Sequence, residues 1–150
     1  MDHEYYMRIC FKLARLGQGY VFPNPMVGAV VVRNDRIISM GFHQKYGDSH
    51  AEVFALSSAV ESVEDATMYC NLEPCSHKNK KTPPCVPLII SKGIERVVIS
   101  NIDPNPNVCG NGVIQLRNAG IEVITGILED EGKKLNERFF KYIVSRGSRF

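Results

Sequence analysis

The chain has 150 residues, enough for one domain (residues 1–150) with a single core, and its apolar (44%) and charged (23%) fractions are those of an ordinary globular protein. Its 18 basic and 16 acidic residues leave a formal charge of +2 with no basic tract, which argues against nucleic acid as a partner. No apolar run approaches the ~20 residues needed to span a bilayer, the first residues are polar, and five cysteines form an odd count without disulfide rhythm, so a cytoplasmic protein with reduced thiols and no membrane partner is expected.

In chain order, residues 3–16 place Tyr6, Ile9, Cys10, Leu13 and Leu16 near helical spacing, with Asp2 as a cap and Gly17 as a stop. Phe22-Pro23-Asn24-Pro25 excludes helix. The β-branched run at 27–32, an Asn34-Asp35 turn and residues 36–40 read as an antiparallel hairpin. Ala51, Phe54, Ala55 and Ala59 predict a helix over 50–60 that begins at His50. A strand follows at 67–72, a helix at 85–91 ending near Gly93, and a strand at 96–100. Beyond the stiff Asp103-Pro104-Asn105-Pro106 loop, Gly110 and Gly112 precede a helix to about Ala119. A strand at 122–125 and one amphipathic helix from Glu129 to about Val144 complete the chain. The order α-ββ-α-β-α-β-α-β-α predicts a three-layer α/β fold, antiparallel at the opening hairpin and parallel later. Sites in such sheets form beyond the carboxyl ends of strands. His50, Cys75 and Cys85 all fall at or just before predicted helix starts, so helix amino ends can converge on one metal.

One imidazole and two thiolates are a natural ligand set for zinc that leaves the fourth tetrahedral position open, as a catalytic rather than a structural site requires. Glu52, two residues after His50, adds the decisive acidic group. His-x-Glu followed by Pro-Cys and a second Cys is the pattern of zinc nucleobase deaminases, in which the Glu shuttles protons and is not a ligand. Where that pattern usually has two residues between the cysteines, nine separate Cys75 from Cys85. Cys10 and Cys70 read as small core hydrophobes and Cys109 as a neutral lining position. His77 stands either as a fourth ligand, which would close the site, or as a loop residue near the pocket mouth.

Four stretches resemble the deaminase domain of bifunctional riboflavin biosynthesis proteins. They are Pro23-Asn24-Pro25-Met26-Val27-Gly28, Gly41-Phe42-His43 with His50-Ala51-Glu52, the Leu-Glu-Pro-Cys-Ser-His and Thr-Pro-Pro-Cys pair ending at His77 and Cys85, and Asp103-Pro104-Asn105-Pro106. Asn136-Glu137-Arg138-Phe139 is similar to the end of that domain. The resemblance implies the cytidine deaminase-like fold, three-layer α/β/α with a central mixed five-stranded sheet. It also implies zinc-dependent hydrolytic deamination of 2,5-diamino-6-ribosylamino-4(3H)-pyrimidinone 5′-phosphate to 5-amino-6-(5-phosphoribosylamino)uracil. Carried onto matching positions, it makes His50, Cys75 and Cys85 the zinc ligands, Glu52 the proton shuttle, and Asn24, His43, Lys81, Asp103 and Asn105 the contacts to a small phosphorylated pyrimidine. A homodimer is expected, with a separate reductase chain as a further partner. The loop after Cys75 is one residue longer than the family's, with Asn79 and Lys80 where a glycine is usual, and Lys81 has an alternative reading as a solvated lysine. Family members commonly continue into a reductase domain using NADPH, so residues 1–150 are expected to deaminate without reducing.

Two rival readings remain. One is another zinc deaminase, acting on cytosine, guanine, cytidine or tRNA adenosine, against which the long Cys75–Cys85 loop and the two Pro-rich segments argue. The other is a non-catalytic zinc-stabilised module that docks a partner, against which Glu52 argues, because a structural site needs no carboxylate beside an open position.

Overall fold

The computed structural model describes residues 2–76, 84–105 and 109–147. Among the described residues, eleven elements follow one another: α1 (His3–Arg15), β1 (Gly28–Arg33), β2 (Arg36–Phe42), α2 (Ala51–Ser58), β3 (Thr67–Leu72), α3 (Cys85–Ser91), β4 (Arg96–Asn101), α4 (Asn111–Asn118), β5 (Glu122–Ile124), α5 (Glu129–Leu135) and α6 (Glu137–Gly147). Asp2 caps α1 by accepting the Tyr5 N–H, as its position before the apolar periodicity predicts. The Asn34-Asp35 turn takes left-handed φ at both residues, +53° and +57°, the twist that closes a two-residue hairpin.

The five strands form one sheet in the order β2-β1-β3-β4-β5. β1 is antiparallel to both β2 and β3, with Ala29 opposite Cys70, while β3, β4 and β5 run parallel. Side-chain alternation on the strands divides the core in two. Ala29, Val31, Met68, Cys70, Val97 and Ile99 face α2, α3 and α4. Val30, Val32, Tyr69 and Val98 face α1, with Leu128 and Leu135 packed against that side. The expected three-layer α/β/α arrangement with a mixed sheet is therefore the observed one. Among the described residues, no helix is long and apolar enough to cross a membrane.

The carboxyl end of the sequence departs from expectation. The apolar spacing predicts a single helix from Glu129, but Asn136 interrupts it at φ −106° and ψ 30°. Its buried side chain turns to Met26, and α6 starts afresh at Glu137. A tertiary hydrogen bond of this kind leaves no trace in periodicity.

This topology brings the end of β2, the ends of β3 and β4, and the chain before β1 to one edge of the sheet. α2 reaches that edge because Gly41 lets it press on β2: a Cβ there would lie 2.6 Å from both the Ala51 carbonyl oxygen and the Ala55 nitrogen. The start of α2, and with it His50 and Glu52, is thereby held against the sheet.

Candidate active site

His50 is the residue before the first turn of α2, in extended conformation, and its ring makes no capping bond to that helix. Its Nδ1 lies 3.4 Å from Cys75 Sγ and 3.4 Å from Cys85 Sγ. One ligand atom from each of His50, Cys75 and Cys85 lies within 4.8 Å of the others. A zinc ion with Zn–N of ~2.0–2.1 Å and Zn–S of ~2.3 Å at tetrahedral angles needs N···S edges of about 3.6 Å. The donor set fits a metal in both chemistry and spacing.

Cys85 is the first residue of α3, as the spacing predicts. Cys75 is not at a helix start. It lies in the loop beyond β3, and the first turn of α3 reaches back to it instead. The N–H groups of Cys85 and Val86 donate to the Cys75 carbonyl at 3.0 and 3.1 Å, and the Cys85 N–H also approaches Cys75 Sγ at 3.2 Å. Backbone donors aimed at a sulfur favour its thiolate form. The Cys75 thiol is held well below the usual range, first by the hydrogen bond from the Cys85 thiol and further by His50. The Cys85 thiol is pushed up by that same bond and by burial.

Glu52 sits in the first turn of α2, 3% exposed, and burial raises its carboxyl pKa against the opposing pull of His50. His43, just past β2, stacks edge-on to His50 with ring centroids 5.4 Å apart. Its Nδ1 is 3.1 Å from the Ser49 carbonyl, which can only accept, so that nitrogen carries the proton. Nε2 then presents its lone pair to the Asn24 amide, 3.2 Å away. Asp103 Oδ1 accepts the Asn105 N–H at 2.9 Å and shapes the turn after β4.

Asn24, His43, His50, Glu52, Cys75, Asp103 and Asn105 line one cavity of about 210 Å³. Cys85 lies fully buried behind it. Lys81 and His77 lie outside the described residues. The sequence reading missed Glu73, whose buried carboxylate lines the same cavity, and the wall of Phe139, Tyr142 and Ile143 from α6. The signal for Glu73 was an acid standing between an apolar strand and Pro74. The wall residues recur at i, i+3 and i+4, a stripe that also reads as ordinary core.

Residues 1–101 match the family model of the cytidine and deoxycytidylate deaminase zinc-binding region. The chain belongs to this zinc-binding deaminase family. It is 52% identical to the riboflavin biosynthesis protein RibD of Aquifex aeolicus over 139 residues, which are 93% of this chain and 39% of that protein. It is 48% identical to the diaminohydroxyphosphoribosylamino-pyrimidine deaminase of Buchnera aphidicola (from Schizaphis graminum) over 141 residues, 94% of this chain and 95% of that one. The crystal structure of the Thermotoga maritima diaminohydroxyphosphoribosylaminopyrimidine deaminase/5-amino-6-(5-phosphoribosylamino)uracil reductase superposes with a TM-score of 0.91 at 52% identity, covering 96% of this chain and 42% of that one. The chain thus spans less than half the length of the Aquifex and Thermotoga proteins and nearly all of the Buchnera protein. The fold is the cytidine deaminase-like one, and zinc is the metal of the family.

Proposed function

We propose that residues 1–150 act as one deaminating domain. It would convert 2,5-diamino-6-ribosylamino-4(3H)-pyrimidinone 5′-phosphate and water to 5-amino-6-(5-phosphoribosylamino)uracil and ammonia, in riboflavin biosynthesis. The observation that carries this reading is the 48% identity over 95% of a Buchnera deaminase, joined to a cavity that holds Glu52 beside His50 and Cys75.

In this reading His50 Nδ1, Cys75 Sγ and Cys85 Sγ hold the zinc. Bound there, zinc would supply Lewis acidity toward water. Glu52 takes a proton from the attacking water and hands it to the ring nitrogen beside the amino-bearing carbon. It then takes the remaining proton of the added hydroxyl and passes it to the amine, which leaves as ammonia while the carbonyl forms, so that one carboxylate serves each step in turn. Burial raises its carboxyl pKa, with His50 pulling the other way. Asn24, His43, Asp103 and Asn105 orient the ring and sugar from the sides of the cavity. Lys81, outside the described residues, pairs with the phosphate. The protein works in the cytoplasm as a homodimer, and a reductase takes the product.

Ammonia release from the diaminopyrimidinone phosphate, measured beside cytidine and guanine, tests the assignment. Turnover confined to the diaminopyrimidinone phosphate is expected. Equal or faster release from cytidine or guanine would overturn it.

A further inference from the structure

We propose that Glu73 is the positioning residue of the Asp103–Asn105 side of the cavity, acting on substrate through that wall. This rests on reading the cavity as the deaminase site.

Glu73 follows β3 directly and is 3% exposed, and among the described residues its carboxylate accepts from backbone N–H groups. Oε1 accepts from Asp103 N at 3.2 Å and from Gly110 N at 3.0 Å, and Oε2 accepts from Val113 N at 3.1 Å. A buried carboxylate is tolerated only when such donors replace its water. The donors belong to one stretch of chain: the turn that leaves β4 and the first turn of α4. The opening N–H groups of a helix lack intrahelical partners, and α4 has no capping side chain of its own, since Gly110 stands at its N-cap with φ +78°. Glu73 supplies that cap from another strand, with its charge at the favourable helix end.

The approach is close enough to require glycine. A Cβ on Gly112 would lie 2.5 Å from the Pro74 carbonyl oxygen and 3.1 Å from Glu73 Oε2. The main chain joins in, with the Glu73 N–H donating to the Asn101 carbonyl at 2.9 Å. Strand β3, which leads into Cys75, is therefore clasped to the turn that carries Asp103 and Asn105. The distance from the metal-ligand set to that wall is set at Glu73.

Glu73→Gln removes one acceptor oxygen and turns an N–H₂ toward backbone donors. The variant should keep its zinc, raise KM about tenfold or more, lower kcat far less, and leave the pH profile of kcat in place. In a double-mutant cycle with Asp103→Ala the two KM effects should be strongly non-additive, because one residue acts through the other. Glu73→Asp, which keeps the charge but cannot span all the donors, should fall between wild type and Glu73→Gln. A KM within twofold of wild type, a shifted kcat profile or additive effects would overturn the proposal.

Amide hydrogen exchange of the wild-type chain supplies a readout that needs neither a folded variant nor substrate. Slow exchange at Asp103, Gly110 and Val113 is expected, and exchange at the rate of free loops would overturn the assignment. Because no substrate is present, this result is independent of which molecule the enzyme deaminates.

Discussion

Asn136 holds Met26 by both of its main-chain polar groups. The Met26 N–H donates to Asn136 Oδ1 at 2.8 Å, and Asn136 Nδ2 donates to the Met26 carbonyl at 2.8 Å. Asn71 adds a second donor to that carbonyl at 3.0 Å and accepts the Gly28 N–H at 2.8 Å. The break between α5 and α6 is thus fastened to the segment carrying Asn24, and α6 sends Phe139 and Tyr142 into the cavity that Asn24 lines.

Replacing Asn136 by Ala leaves the Met26 N–H without this acceptor, at a cost of about 1–3 kcal/mol. At ~2–4 °C per kcal/mol for a domain of this size, Tm should fall by about 5 °C. KM should rise with it, because Asn24 and the α6 wall lose their common anchor. Thermal unfolding followed by circular dichroism, beside steady-state kinetics, checks both. An unchanged Tm would show that the bidentate bond contributes no net stability.

The same contact marks the limit of what the sequence discloses. The bounds of β3 and α3 follow from local spacing, and the His50, Glu52, Cys75 and Cys85 pattern is legible because its chemistry dictates residue types at short range. Asn136 is different: the apolar stripe runs through it, and only a partner 110 positions away explains the break. The expectation that Cys75 lies at or just before a helix start meets a helix that begins ten residues later and reaches back through its first N–H groups. Glu73 and the α6 wall are likewise products of tertiary assembly. What periodicity cannot express is which strand end meets which loop.

The metal-ligand assignment predicts about one zinc per chain in the purified protein. Cys85→Ser should lose most of it, together with some thermal stability, because metal binding couples to folding. Elemental analysis by mass spectrometry measures the occupancy. Full zinc content in this variant would move the ligand role to His77 or Cys109.

Thiol chemistry should separate the five cysteines. Cys109 is exposed, whereas Cys10 and Cys70 are buried, and burial pushes both of those thiols well up. A thiolate-seeking aromatic disulfide should therefore modify about one thiol quickly in the zinc-loaded chain, and Cys109→Ser should remove that phase. Adding a chelator should release a further fast phase from the metal-ligand set. Two or more fast thiols in the zinc-loaded native chain would contradict this placement.

Glu52→Gln is the sharpest probe of the chemistry. The amide keeps the size of the side chain and its hydrogen-bonding reach toward Cys85, so the zinc content should match wild type. It cannot take the proton of the attacking water, and loss of a general acid–base group costs typically ~10²–10⁴-fold in rate. Because one carboxylate serves several proton transfers here, kcat should fall at least that far while KM stays near its wild-type value. Zinc per chain and ammonia release, measured on the same preparation, distinguish a lost proton carrier from a lost metal. Activity within a few-fold of wild type at full zinc occupancy would remove Glu52 from the shuttle role and send the search to the other buried carboxylates of the cavity, Glu73 and Asp103.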